Sequence, residues 1–211
     1  MATILRDWSY RYPWFYNSIS RVAALSVGGE GRFRRLALEG LKLGPGATVL
    51  DLCCGAGQAT QVLVQEFQQV TGLDAAPRSL AAAQAVAPQA HYVQGFAEEM
   101  PLGAGQFDLV HTSAALHEME PEQLRQIVAE IDRVLKPGGI VAIADFHPPT
   151  QPLMWPGLAA FFWLFETETA WQFVKTDLGQ LLTAQGFQIQ RQTLYAGGSL
   201  QVIQAQKPLH Q

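Results

Sequence analysis

The stretch Val49-Leu50-Asp51-Leu52-Cys53-Cys54-Gly55-Ala56-Gly57-Gln58-Ala59-Thr60 constrains the fold of this chain more than any other. An apolar run over 47–52 breaks at a Gly-x-Gly turn, and a helical pattern follows from Thr60 to Val70. Strand, tight turn and helix start, in that order, are the elements with which an open α/β sheet receives a nucleotide-like ligand. A second apolar run, Val70-Thr71-Gly72-Leu73, closes on Asp74. A carboxylate about 20 positions past such a turn can accept hydrogen bonds from ribose hydroxyls. Together the two features imply a soluble enzyme with an adenosine-containing cofactor.

The rest of the chain repeats the alternation. Strand-like runs fall near 47–52, 69–74, 91–95, 107–112, 139–145, 187–194 and 200–206. Helix-like runs fall near 58–68, 77–86, 121–135 and 173–184. Short apolar strands alternating with helices predict a doubly wound α/β fold: a seven-stranded, mostly parallel sheet covered on both faces. Lys136-Pro137-Gly138-Gly139 reads as a stop between a helix and a strand. Only Tyr195-Ala196-Gly197-Gly198-Ser199 separates the last two strands, too little for a parallel crossover, so they are expected to form an antiparallel hairpin. Residues 1–44 read as an N-terminal helical cap, with Trp8, Tyr10, Tyr12, Trp14, Phe15 and Tyr16 crowded near its start and a helical pattern over Arg32–Glu39. The expectation is one domain over 1–211, with its core at 45–206.

Composition excludes several function classes. A net charge of −4 argues against a nucleic-acid footprint, which needs a basic face. Arg32, Arg34 and Arg35 form the one tight basic group and read as a solvated helix face. The two cysteines, Cys53 and Cys54, are adjacent, so they cannot staple a fold or supply a Cys-based zinc site. No metal site is expected, and a reducing, cytoplasmic setting is. Residues 1–20 mix charges with aromatics and show no apolar core of a signal peptide. The longest apolar stretch, 152–165, is broken by Pro156 and Gly157 and falls short of the ~20 residues that span a bilayer.

Five segments, taken in order, resemble the class I S-adenosylmethionine-dependent methyltransferases. Leu50-Asp51-Leu52-Cys53-Cys54-Gly55-Ala56-Gly57 resembles their first motif, and Gly72-Leu73-Asp74 the acidic end of their second strand. Gly95-Phe96-Ala97-Glu98-Glu99-Met100-Pro101-Leu102 resembles their adenine loop, Phe107-Asp108-Leu109-Val110 their fourth strand, and Val134-Leu135-Lys136-Pro137-Gly138-Gly139 the turn before their fifth. The resemblance covers about 45–206 and implies a Rossmann-like fold, S-adenosylmethionine as cofactor and S-adenosylhomocysteine as product. Within the family, the segment Tyr16–Leu38 and the strand ending Asp145-Phe146-His147-Pro148-Pro149 are most similar to the type 11, quinone-biosynthesis group. That implies a small apolar or aromatic acceptor, quinone-like or phenolic.

The resemblance also implies roles. Gly55 and Gly57 let backbone approach the methionine part of the cofactor, beside Cys53. Asp51 anchors the turn and helps bind the methionine amino group, directly or through water. Asp74, with Ala75 after it, takes the ribose hydroxyls, although Asp74 also reads as a helix N-cap. Phe96 and Ala97 border the adenine; the family usually has Asp where Phe96 stands, so recognition there leans on backbone groups or on Glu98. Thr112 and Ser113 sit beside the sulfonium. Cys53 is expected to pack in the turn and not to act as a nucleophile, and Asp108 to be structural.

His117 follows the fourth strand, at the edge that carries ligand chemistry in open α/β sheets. It reads either as a base for an acceptor proton or as a helix-start or surface histidine. His147 has the same two readings after strand five, and His111 reads as a core residue. The aromatic stretch 152–165 reads as core, or, within an insertion over 150–172, as a lid over an apolar acceptor. A transient membrane contact through 152–165 stays open. Two rival readings weigh against the methyltransferase. A nicotinamide-dependent oxidoreductase prefers Gly-x-Gly-x-x-Gly, and the sixth position is Thr60. A non-catalytic binding module is the other.

Overall fold

A computed structural model describes residues 27–165 and 167–209. Trp8, Tyr10, Tyr12, Trp14, Phe15 and Tyr16 of the expected N-terminal cap, and His210, lie outside the described residues. The described part of that cap is a short helix α1 (Glu30–Phe33) and a 3₁₀ turn (Leu36–Leu38). Leu36 and Ala37 are buried in one core with Ala142, Ala144 and Val202 of the sheet. Gln204 Nε2 fastens the segment by donating to the carbonyls of Ala37 and Glu39.

The strands are β1 (Thr48–Leu52), β2 (Gln69–Asp74), β3 (His91–Gln94), β4 (Phe107–Ser113), β5 (Leu135–Phe146), β6 (Gln188–Tyr195) and β7 (Leu200–Gln206). Their spatial order is β3-β2-β1-β4-β5-β7-β6. The first five run parallel, and β7 lies antiparallel between β5 and β6. This is the expected seven-stranded sheet with its antiparallel C-terminal hairpin. Strand order reverses between β1 and β4, which places the switch point, and hence the ligand crevice, at their carboxyl ends.

The strands are apolar on both sides because both sides are covered. On β1, Leu50 and Leu52 join a core with Val110, Ile127 and Ile131, while Val49 joins the opposite core with Leu63 and Leu109. The helices doing the covering include α2 (Thr60–Glu66), α3 (Pro77–Val86) and α4 (Pro121–Val134). A reciprocal capping box between Glu120 and Gln123, with Pro121 in the first turn, fixes where α4 begins.

Two expectations are corrected. Lys136-Pro137-Gly138-Gly139 does not end one element and open another. Phe107 pairs with Leu135 and Leu109 with Ile140, so the four residues 136–139 swell out of β5 opposite Asp108 alone, as an enlarged bulge. The C-terminal segment pins it, Gly138 N–H donating to Lys207 O and Lys207 N–H to Gly139 O. The helix expected over 173–184 is two helices, α6 (Glu168–Phe173) and α7 (Leu178–Ala184), after α5 (Trp155–Phe165). Asp177 starts α7 by accepting the Gln180 N–H at 2.9 Å, and a side chain that caps one helix cannot sit inside another.

The basic triplet is locally balanced: Arg32 pairs with Glu39, Arg34 with Glu30 and Arg35 with Glu66. Asp108 is structural, as expected: its Oδ2 accepts from Thr48 N and Oγ1 and from Lys136 Nζ, each at 2.8 Å.

Helix α4 grips the loop after β3. Glu130 Oε2 accepts Met100 N–H at 2.7 Å, and Arg133, itself paired to Glu130, donates to the carbonyls of Leu102 and Met100. The Arg133 bond, against the opposing pull of burial and together with the Met100 N–H, holds the Glu130 carboxyl below the usual glutamate range. Glu130→Gln is expected to lower unfolding free energy by about 1–2 kcal/mol at neutral pH. The folded pKa is the lower one, so this stabilisation is complete above the unfolded value of about 4.3 and drains away as pH falls through the folded value. Urea unfolding of both proteins across that range checks the gap and its closure.

Candidate active site

Asp51, one residue before the end of β1, is 1% exposed. A buried carboxylate needs partners, and among the described residues it has two: Thr60 Oγ1 donates to Oδ2 at 2.6 Å, and His111 Nδ1 lies 2.9 Å from Oδ1. Thr60 opens α2 and His111 is the lateral neighbour of Asp51 on β4. One side chain therefore ties the strand end, the helix start and the adjacent strand at the switch point. The carboxylate thereby anchors the turn from inside the protein. His111 is a core residue, as expected; among the described residues its Nε2 finds no hydrogen-bond partner.

The turn itself is strung between β1 and β2. Cys54 N–H donates to Leu73 O, and Gly55 N–H to Asp74 Oδ2 at 2.9 Å. Asp74 Oδ1 accepts Ala76 N–H at 2.9 Å. Asp74 is thus not the N-cap of α3, which is Ala76; it clasps the glycine turn. Ala75 is exposed, and its carbonyl accepts from Gln94 Nε2.

The two glycines divide their work. Both have φ in the left-handed region, +54° at Gly55 and +83° at Gly57. Among the described residues a Cβ on Gly55 would meet nothing within 4 Å, so the backbone there is open on their side. A Cβ on Gly57 would stand 2.8 Å from the Ala83 backbone. Gly57 therefore lets α3 pack against the turn, and the open cradle that the sequence reading assigned to both glycines is found at Gly55 alone.

The electrostatics of the turn have one sign. Burial first, and then the carboxylates of Asp74, Glu118, Asp51 and Glu98, push the Cys53 thiol up from 9.0 to about 12. Cys54 moves the same way, chiefly through burial. Four carboxylates around one turn favour a cationic ligand and oppose a pyrophosphate.

At the adenine loop, Ala97 is buried and Phe96 is 64% exposed, its ring presented to solvent beside the crevice. Glu98 accepts from Gln123 Nε2 at 3.1 Å. The side chain of Thr112, near the end of β4, is wholly buried, and among the described residues its hydroxyl has no partner. Ser113 and Ala114 follow, and Ala114 takes φ +52° as the chain leaves the strand.

His117 lies in the 3₁₀ turn Leu116–Glu118 and is 1% exposed, which overturns its reading as a surface histidine. Its Nδ1 is 2.7 Å from Asp145 Oδ1 at the end of β5. Phe146 meets its ring edge-on at 4.5 Å, and Phe173 stands 6.5 Å away. Phe161, Phe162 and Trp171 continue this aromatic wall into α5 and α6. Asp145 and Thr60 were not singled out in the sequence. The available signal was positional: Asp145 closes a strand at the same edge as Asp74. His147 instead bonds Gly198 O through Nδ1, and exposed His91 opens β3 at the far edge. A cavity of about 370 Å³ at that far edge, lined by Thr48, Gln69 and His91 among others, lies at the strands' amino ends, away from the turn.

A doubly wound sheet with a glycine turn clasped by an acidic strand end at its switch point defines a Rossmann-like ligand-binding α/β protein. Comparison with known proteins narrows this. Residues 49–139 match the Methyltransferase domain family. An uncharacterised methyltransferase of Synechocystis sp. is 61% identical over 205 residues, 97% of each chain. The 2-phytyl-1,4-naphtoquinone methyltransferase of Thermosynechococcus vestitus is 36% identical over 136 residues, 61% of this chain and 60% of that enzyme. An S-adenosylmethionine dependent methyltransferase from Mesorhizobium loti has the same fold, with a TM-score of 0.63 at 19% identity over 82% of this chain and 95% of that one. The chain belongs to the class I S-adenosylmethionine-dependent methyltransferases. It is an enzyme, and S-adenosylmethionine is its cofactor.

Two substitutions and one labelling experiment test the turn. Gly57→Ala is expected to destabilise the fold by about 1–3 kcal/mol because backbone must move. Gly55→Ala is expected to cost only about 1 kcal/mol of stability, from its φ, while weakening S-adenosylhomocysteine binding. Denaturant unfolding and isothermal calorimetry separate the two. Iodoacetamide at about pH 8 should leave both cysteines unmodified until the protein is unfolded; rapid labelling of the folded form refutes the protonated thiols.

Proposed function

We propose that this enzyme methylates a small apolar or aromatic acceptor, quinol-like or phenolic, held between the glycine turn and the aromatic wall of β5, α5 and α6. The cofactor fits the turn on two counts: the backbone at Gly55 is open, and the surrounding charge is acidic. When bound, S-adenosylmethionine supplies a methyl group on a cationic sulfonium. Gly55 and Cys53 would border its methionine part, with Asp51 acting through the turn and Gly57 shaping it. Asp74 and Ala75 would meet the ribose. Phe96 would stack on the adenine, Ala97 would border it, and Thr112 would lie by the sulfonium. The protein's share of the catalysis is then positioning, holding acceptor and methyl close and in line.

The observation that carries the acceptor class is the enclosure of His117 by Phe146 and Phe173, backed by Phe161, Phe162 and Trp171. Such a wall suits a flat apolar ring with one or two polar groups. The relative named for 2-phytyl-1,4-naphtoquinone supports the same class. Residues 150–172 would serve as the lid of a single domain. Leu153, Trp155 and Trp163 are exposed there, a surface suited to transient contact with a membrane that holds an apolar acceptor. No described helix is long and apolar enough to cross one.

Thermal unfolding with S-adenosylhomocysteine, and with NAD as control, tests the cofactor assignment. At 100 times its dissociation constant a ligand adds about 2.7 kcal/mol. A saturable shift with S-adenosylhomocysteine alone is expected; a shift with NAD alone refutes the assignment. Turnover of S-adenosylmethionine with a panel of quinols and phenols then reads the acceptor class.

A further inference from the structure

We propose that His111 is a positioning residue for the cofactor: its ring holds Asp51, and through Asp51 it keeps the glycine turn in the shape that receives S-adenosylmethionine. This rests on the reading of the turn as the cofactor site.

Strand register singles His111 out. Asp51 has two lateral neighbours in the sheet, Gly72 on β2 and His111 on β4. Gly72 has no side chain, so the lateral partner of the carboxylate comes from β4. An ionised carboxylate only accepts, and the imidazole therefore donates from Nδ1 to Oδ1 across 2.9 Å. The other oxygen, Oδ2, takes the hydroxyl of Thr60 at 2.6 Å. His111, Asp51 and Thr60 are all buried, so each depends on the protein for its hydrogen bonds.

This series of bonds ends on the turn. Strand β2 grips the turn from one side, Leu73 O accepting the Cys54 N–H and Asp74 Oδ2 the Gly55 N–H. Strand β4 grips it from the other side through Asp51. His111 fixes the carboxylate, and the carboxylate fixes Thr60, where the turn passes into α2. The Gln61 N–H donates to Gly57 O, so a displacement at the start of α2 is passed back into the turn. Gly55, with its open backbone at φ +54°, lies between the two grips.

Packing alone does not call for a histidine at this place. His111 shares its sheet face with Leu109 and lies opposite Ala142 of β5, both within one apolar core. An aliphatic side chain fills such a place, and a buried polar pair adds little stability over an apolar pair of similar volume. Among the described residues the Nε2 of the ring makes no hydrogen bond, so among them Asp51 is what orients it. What the imidazole adds is one directed N–H donor at the strand edge that receives the ligand, and a directed donor sets geometry more than stability.

The test uses the whole chain, with calorimetric titration of S-adenosylhomocysteine for affinity and urea unfolding for stability. His111→Leu removes the donor and keeps an apolar filling. His111→Asn places an amide NH2 where Nδ1 stood. Both lose the packing of the ring, so a purely structural histidine predicts a loss of stability in both and a change of affinity in neither. We expect S-adenosylhomocysteine to bind His111→Leu about tenfold more weakly or worse, and His111→Asn within about threefold of wild type. Imidazole 15N NMR of wild type is expected to place the His111 proton on Nδ1. Should His111→Leu fail to fold, Thr60→Val takes its place, since it withdraws the other donor from the same carboxylate; the same tenfold loss is expected. A loss below about threefold in the variant so used, an Asn variant that binds no better than it, or an Nε2–H tautomer in wild type overturns the role of His111. Wild type that does not bind S-adenosylhomocysteine overturns instead the reading of the turn as the cofactor site.

Discussion

A carboxylate with no access to water has to be satisfied by its own protein, and at Asp51 that requirement organises the sheet's centre. Its two partners come from the first residue of α2 and from the neighbouring strand β4. The chain between Asp51 and Thr60 must therefore turn within a few residues, which forces left-handed backbone at Cys53, Gly55 and Gly57. Losing either partner would leave a buried acceptor unpaired, a penalty of about 1–3 kcal/mol, so the turn is held by more than its own sequence. The open space above Gly55 is a by-product of this packing.

The two halves of the ligand edge differ in physical character. Over β1 and β2 the groups that act at the turn are carboxylates, committed to backbone donors and to one another's fields. Over β4 and β5 the edge is aromatic, with the hydrogen-bonded pair His117 and Asp145 set inside it. The proposed combination of a cationic cofactor with an apolar acceptor would use these two environments side by side. The switch point supplies them because the strands on its two sides feed different helices and loops.

Much of this was legible in the residues because it is local. Gly-x-Gly after an apolar run, an acid at the end of the next one, and strand–helix alternation mark the parallel part of the sheet without any distant contact. The short Tyr195–Ser199 link fixed the sense of the last pair. What misled was also local. Pro-Gly-Gly at 137–139 has the composition of a stop but forms a bulge, since Lys207 and its neighbours return to hold it. Asp177 lay inside an apolar periodicity that masked its capping role. Gly57 carried the same letter as Gly55 but faces a helix instead of open space.

The sequence by itself determined the fold class, the family and the cofactor, because each is written in short segments whose backbone conformation their own residues impose. Only the tertiary structure decided which groups act on one another. Asp51 with His111 and His117 with Asp145 are separated by 60 and 28 residues. Their pairing depends on strand register across β1, β4 and β5, and register is set by burial of whole sheet faces, a property that no segment carries alone.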